Sequence, residues 1–547
     1  MAQTFERLTS RRRFLSSFIG STTVLGGMAL LAACGRPAEP AAPTGAPAVA
    51  AGAPAPTAAP GAAAAATKPP AAAAATQAPA AGTTPTVPPT EVAPVLTVAP
   101  TTLGKTFNNT QIRIGASTEY YAYALRIFQG QAENELGVKL SIDVVPGGDL
   151  YQRNITEFSS GSSSYDMFML LPFQLPDYAA HLEPLDTMKG YGLDFKLDDV
   201  MPIFRDVYST WGGQVVSMPF DGDVHLLMYN KEAFDNADLQ KTFKSKYNYD
   251  LKVPETYDQY LDVGQFFGDN AWRKDGQKGF GIAEGFGGPE WWWENRFASY
   301  GGVYFDENMN PLINSKNGLA ATDNIVKAAK LAPPGSNSFG YQEAENALVK
   351  GDAAMSINWS SAYRTSTNPQ KSTTVGKIGT AVPPGSVVNG QTVRHAALCT
   401  GWSLAVPKYA KNKEAASYVM WFYSQPSVHT QFILDADTGI DAYRVSSLND
   451  PAFATKYGAE YVKTINDALS AGFPDLQVPN SAEYYQQLDN GLKDAIAGAK
   501  PTKDAMDTAA DEWKKITQRM GGDKQKEAWT KAYQGMQARG IKYIPMA

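Results

Sequence analysis

The chain has 547 residues, 44% of them hydrophobic, with 48 basic against 54 acidic side chains and a formal charge of −6. That length leaves room for two sizeable domains, and an acidic balance without a basic patch argues against a nucleic-acid partner. The two cysteines, Cys34 and Cys399, and four histidines, His181, His225, His395 and His429, show no metal-ligand spacing.

The first hundred residues do not read as fold. Ser10-Arg11-Arg12-Arg13-Phe14-Leu15 is a twin-arginine (Tat) export signal, followed by an apolar stretch, 18–33, that Gly and Ser dilute. The stretch is too short and too weakly apolar for a membrane-spanning helix. Its end, Leu31-Ala32-Ala33-Cys34, resembles the lipobox of bacterial lipoproteins, which implies that residues 1–33 are a signal peptide and that Cys34 becomes the lipid-modified first residue. Lipid chains then hold the protein on the extracytoplasmic face of a membrane without crossing it. Residues 34–106 are almost wholly Ala, Pro, Thr and Gly and contain no aromatic residue. Such a segment cannot bury enough apolar area to offset its ordering entropy, so a disordered tether is expected. As a coil it averages on the order of 50 Å end to end. Cys399, with no partner once Cys34 is lipidated, reads as a small buried hydrophobe.

From residue 107 the chain becomes aromatic and patterned. Residues 112–115 read as a strand, 121–136 as an amphipathic helix and 138–145 as a second strand alternating apolar and polar. Strand, helix, strand with short loops starts a parallel α/β sheet, whose ligand site lies beyond the carboxyl ends of the strands. Ser117, Thr118 and Glu119 occupy that loop. A helix over 150–159 and a strand over 165–171 follow, and the loop 172–176, with Gln174, falls at the same edge.

In the stretch SMPFDGDVHLLMYN, 217–230, an apolar run is interrupted by Asp221-Gly222-Asp223. Two carboxylates astride a glycine at the mouth of a buried strand either cap a turn or meet a polar ligand. Thr256 and Gln259 are spaced as a capping box. The glycines of 279–288 are one residue too widely spaced for a dinucleotide fingerprint, and no cofactor is expected. Glu290-Trp291-Trp292-Trp293-Glu294 is the most unusual composition in the chain. A helix over 344–350 closed by Gly351, a buried strand over 353–359, a strand within 394–406 carrying Trp402 and a helix over 411–424 come next. The last hundred residues are helical, with helices over 483–497 and 502–520.

These segments, in this order, resemble the extracellular solute-binding proteins, family 1, that serve ATP-driven (ABC) sugar importers. The matching pieces are YDMFMLLPFQLPDYAAHLEPLD (165–186), GGQVVSMPFDGDVHLLMYNKEAF (212–234), VPETYDQYLD (253–262), WWWENRFASYGGVYFDE (291–307), ALVKGDAAMSINWSS (347–361) and GWSLAVPKYAKNKEAASYVMWF (401–422). The resemblance implies the type II periplasmic-binding-protein fold, two α/β lobes with a hinge and a central ligand cleft. One lobe is expected from 107–221 with about 390–435, the other from about 222–389 with about 436–547. The resemblance implies a monomeric receptor that hands its solute to ABC permease subunits, with Trp291, Trp292, Trp359 and Trp402 in segments that the family uses for ligand contact.

The chemistry of those residues suits a sugar or oligosaccharide. Trp and Tyr cover the C–H face of a pyranose while carboxylates, amides and guanidinium groups bind its hydroxyls. The polar partners expected are Asp221 and Asp223, with Glu119, Gln174 and Arg364. A polysaccharide-acting enzyme would need two carboxyls facing one bond, and no spacing singles out such a pair. A different solute, such as a polyamine, could be held by carboxylates and cation–π contacts. Asp435-x-Asp437-x-Gly439-x-Asp441 departs from a calcium loop by a misplaced glycine and by Ser446 where the closing glutamate should be, so no metal is expected.

Overall fold

The computed structural model describes residues 96–99, 105–399 and 401–547; the leader, Cys34 and most of the tether lie outside these. The expected tether ends sooner than residue 106. The Leu96 N–H donates to Ile127 O at 3.1 Å. Val98 exchanges two hydrogen bonds with the Gln131 amide at 2.9 and 3.0 Å.

Six strands come first: β1 (Thr110–Ala116), β2 (Val138–Val144), β3 (Met167–Leu170), β4 (Thr210–Trp211), β5 (Gln214–Val215) and β6 (Met218–Asp221). Then follow β7 (His225–Asn230), β8 (Phe280–Ile282), β9 (Ala353–Trp359) and β10 (Ile378–Ala381). The short strands β11 (Ser386–Val388), β12 (Gln391–Val393) and β13 (Ala396–Ala397) lead to β14 (Trp402–Ala405), and β15 (Gly472–Phe473) is the last. One sheet has the order β2-β1-β3-β14-β6, the other β10-β7-β9-β8. β1 lies parallel to β2 and β3, whereas β14 returns from late in the chain and runs antiparallel between β3 and β6. In the second sheet β7 and β9 are antiparallel, with His225 opposite Trp359.

Local chemistry explains most boundaries. β9 is read from sequence to the residue because its first six positions are all buried, the pattern of a strand covered on both faces. Thr256 accepts from Gln259 N and Gln259 reaches back to Thr256 N, the reciprocal box that starts helix Tyr257–Asp269. The single helix expected over 121–136 is two, Glu119–Ile127 and Gln129–Leu136. Phe128 breaks it at φ −110°, its ring turned into the core against Phe432 at 5.5 Å. The strand expected within 394–406 is also two, because the chain changes sheets there: β13 pairs with β15 and β14 joins the first sheet.

Apolar side chains of the first sheet, such as Ile114, Met169 and Leu404, pack with helices Lys413–Tyr423 and Pro426–Leu434. Those of the second, such as Ile357 and Met355, pack with Trp293, Trp513 and Phe305. Helix Ala459–Ser470 lies on β7 and β10, and helices Ser481–Ile496 and Thr502–Arg519 lie on Lys316–Ala329. Three passages therefore join the two α/β halves: 222–224, the link from β13 to β14, and the run from helix Pro426–Leu434 to helix Ala459–Ser470. Among the described residues no helix is long and apolar enough to cross a membrane.

Candidate functional site

The three passages meet at Asp221. Its Oδ1 accepts from the Asp441 N–H at 2.6 Å and its Oδ2 accepts from the Tyr121 hydroxyl at 2.7 Å. Asp223 stands two residues on, and one oxygen from each of Asp221, Asp223 and Asp441 falls within 4.8 Å of the others. All three side chains are buried. Burial and the charge of Asp441 push Asp221 up to about 7. Burial and both neighbouring carboxylates hold Asp223 well above the usual carboxylate range. Among the described residues this is the one group of acids, histidines or cysteines close enough to hold a cation, and it already faces the guanidinium of Arg364 at 3.1 Å from Asp441.

Two glycines make the meeting possible. A Cβ on Gly222 would sit 2.3 Å from Ala442 O and 2.6 Å from Tyr443 N. Gly401 has φ +64°, and a Cβ there would lie 2.4 Å from Asp221 O. Between them Cys399 is buried as expected, at φ +52°, its thiol 3.7 Å from Trp291 O.

Around this knot stand aromatic rings from both halves. Trp402, half-buried, pairs with Asp221 across β14–β6, and its ring lies 5.7 Å from that of Tyr121. Trp359, also half-buried, ends β9; His225, Trp292 and Tyr341 meet its ring edgewise at 4.5, 5.1 and 5.4 Å. Its indole N–H donates to Cys399 O at 3.4 Å. Trp291 lies between Phe173 at 5.9 Å and Tyr485 at 4.9 Å, joining the loop after β3 to helix Ser481–Ile496. The Tyr120 hydroxyl donates to Gln342, a second contact between the halves. Several buried polar atoms here have no protein partner: Ser117 Oγ after β1, His225 Nε2 and Asn358 Nδ2.

The structure thus brings Asp221, Asp223, Trp291, Trp359 and Trp402 to one region. The other four expected residues are not presented to a ligand there: Arg364, Trp292 and Gln174 are buried in internal bonds beside the region, and Glu119 faces away in an ion pair. Arg364 is fully buried; its guanidinium donates to the carbonyls of Ile433, Asp435 and Ile440 and to Asp441, which makes it an internal tie. Trp292 is 1% exposed, with its indole N–H on Ile357 O at 2.6 Å, so it is core. Gln174 is buried and its Oε1 accepts from Leu171 N at 3.2 Å, closing the turn that points Phe173 toward Trp291. Glu119 is exposed in the first turn of its helix and pairs with Arg126 at 2.9 Å. Sequence reasoning missed Tyr121, Phe173, Tyr485 and Asp441. The acids of the loop considered for calcium diverge: Asp437 pairs with Lys371 at 2.6 Å while Asp441 turns inward to Arg364.

Two α/β halves joined by three crossings, with buried acids, close-packed glycines and aromatic rings gathered where they meet, define the class of a solute receptor with the type II periplasmic-binding-protein fold. Residues 113–427 match the bacterial extracellular solute-binding protein family, and the chain belongs to that family. It is 28% identical over 359 residues to "Probable amino-acid ABC transporter periplasmic-binding protein y4oP" of Sinorhizobium fredii, covering 64% of this chain and 77% of that one. It is 26% identical over 303 residues to the mannitol-binding protein of Pseudomonas aeruginosa, covering 54% and 64%. An ABC transporter solute-binding protein from Agrobacterium radiobacter K84, solved in complex with ribitol, superposes with a TM-score of 0.65 at 22% identity, over 75% of this chain and all of that one.

Proposed function

We propose that this chain is the extracytoplasmic receptor of an ABC importer, holding a sugar or polyol between its lobes and passing it to the permease subunits. The observation that carries this reading is the pair of half-buried indoles, Trp359 and Trp402, flanking Asp221 and Asp223 where the lobes join. Indole faces suit the C–H surface of a sugar, and carboxyls suit its hydroxyls. Burial raises both carboxyls, and in the protonated form each can donate as well as accept, which matches a hydroxyl's two roles. The mannitol- and ribitol-binding relatives support the polyol class.

The site we propose is therefore Asp221, Asp223, Tyr121, Trp291, Trp359 and Trp402. One lobe comprises about 107–221 with about 402–444, and the other 225–397 with about 459–547; the return crossing then falls nearer 400 than 390. Cys34 carries the lipid anchor, and the Ala/Pro-rich segment spaces a monomeric receptor from the membrane. No catalytic step is assigned, and a reducing-end assay on soluble glycans should stay flat. A second reading, an amine-bearing solute such as an amino acid, is favoured by one guanidinium facing three carboxylates and by the name of the Sinorhizobium relative, a probable amino-acid ABC transporter binding protein. Calorimetry against polyols, mono- and oligosaccharides, amino acids and polyamines decides. Heat with sugars or polyols alone supports the proposal; heat with amines alone replaces it by the second reading.

A further inference from the structure

Away from the indoles, a cavity of about 540 Å³ lies between the β4–β5 hairpin, the segment 474–479 after β15, and the C-terminal helix Gly522–Ala538. That helix is outside the residues matched by the family. Ligand pockets run from about 300 to 1,000 Å³, so the space suits a small molecule. The walls are tied to one another. The Tyr208 hydroxyl donates to the Asp475 carboxylate, and Asp475 N–H returns a bond to that oxygen at 3.1 Å. Gln525 Nε2 donates to Pro479 O at 2.9 Å, and Trp529 Nε1 to Asp306 O at 3.0 Å.

The lining defines the chemistry. Trp211, Pro474, Ala532 and Met536 supply apolar surface. The charged residues balance: Asp206, Asp475 and Glu527 against Lys524, Lys531 and Arg539, with Glu527 and Lys531 paired at 2.7 Å. An ion would find no net opposite charge there. Gln477 belongs to the cavity wall and is 5% exposed; its amide nitrogen and oxygen are buried behind that wall without a protein partner, so a turn of the side chain into the cavity would give both to an occupant. A buried amide with both roles open costs stability unless a ligand or solvent supplies a donor and an acceptor together, and hydroxyl groups do both.

We infer that this cavity is a second binding site, for a neutral polyhydroxylated molecule, with Gln477 as its polar anchor and Trp211 as its apolar wall. The inference stands on the cavity's own residues and is independent of the cleft assignment. An occupant would touch both the hairpin that leads into β6 and the C-terminal helix, so it would bridge elements of the two lobes.

The test is fluorine NMR on the full chain carrying 5-fluorotryptophan, with Trp211, Trp359 and Trp402 assigned by Trp→Phe variants and mannitol, maltose and trehalose as probes. The expected result is a Trp211 shift with its own midpoint, weakened about tenfold by Gln477→Leu and abolished by Ala532→Phe, which fills the cavity from a half-exposed helix position. Movement of Trp359 and Trp402 with no response of Trp211 to any probe overturns the second site and leaves the cleft reading standing. A Trp211 shift that tracks the cleft midpoint and ignores both variants overturns it as well. A response of Trp211 alone supports the second site and removes the cleft assignment. Silence at all three residues ends both.

Discussion

Arg364→Met separates two roles open to a guanidinium beside the lobe crossing: holding the fold or meeting ligand. Methionine keeps the length and removes the charge, leaving the Ile433, Asp435 and Ile440 carbonyls and the Asp441 carboxylate without their donor. Removing one partner of a buried ion pair costs about 3–5 kcal/mol. The loss should vary with pH, and its sign follows from Asp221, which burial and the charge of Asp441 push up to about 7. Between its ordinary carboxylate range and about 7, the folded chain binds more protons than the unfolded one, so stability falls as pH rises through that window. A shift of that size is worth on the order of 4 kcal/mol for one group. Without Arg364 the nearest compensating charge is gone, and ionising the three acids becomes harder still. Denaturant unfolding should therefore show the full deficit at pH 8 and one smaller by about 1 kcal/mol or more at pH 5, with ligand affinity under native conditions nearly unchanged. Equal deficits at the two pH values would refute the electrostatic argument. Lost affinity at unchanged stability would return Arg364 to the ligand site.

Four further expectations concern neighbouring residues. Trp359→Ala and Trp402→Ala should each weaken solute binding by about tenfold, since ring contact with the solute, worth about 0.5–1.5 kcal/mol beyond the area it buries, is lost only from the complex, while thermal melting without ligand moves little. Trp292→Ala should instead cost about 3–5 kcal/mol of stability, as for other large core truncations, measured by urea unfolding; a small cost there would mean that the side chain is not core. Gly222→Ala forces backbone apart at Ala442 and Tyr443, so calorimetry should report weaker binding and small-angle scattering a more open ligand-bound form. Tyr120→Phe removes a hydroxyl contact to Gln342 between the halves, and should raise the solute off-rate in stopped-flow fluorescence by a few-fold, about the worth of one exposed hydrogen bond.

Much of this architecture was legible in the residues. The bounds of β9, the capping box at Thr256 and the carboxylates astride Gly222 are local patterns, and the chain keeps them. What escaped was set by distant partners. No proline or glycine at Phe128 announces the break between the first two helices; the ring's place against Phe432, some three hundred residues on, produces it. Arg364 reads as a polar ligand contact until the fold brings four acceptors to it. The tryptophan triplet could have been read further. A helix turns about 100° per residue, so three successive indoles cannot share a face. Trp291 faces Phe173 and Tyr485, whereas Trp292 and Trp293 point inward, the latter with its indole N–H on Thr322 at 2.9 Å. Asp441 reads in sequence only as part of an imperfect calcium loop, because nothing local links it to an aspartate 220 positions earlier.

Cys399 has a practical corollary. Apart from Cys34 it is the chain's one thiol, and it is 1% exposed, with burial holding it well above the pH at which thiols react readily. Dyes or spin labels attached through maleimide chemistry to cysteines introduced at Glu119 and Gln342 should therefore go where they are sent, with the native residue left in place. The protein comes already suited to conversion into an optical reporter of whatever it carries.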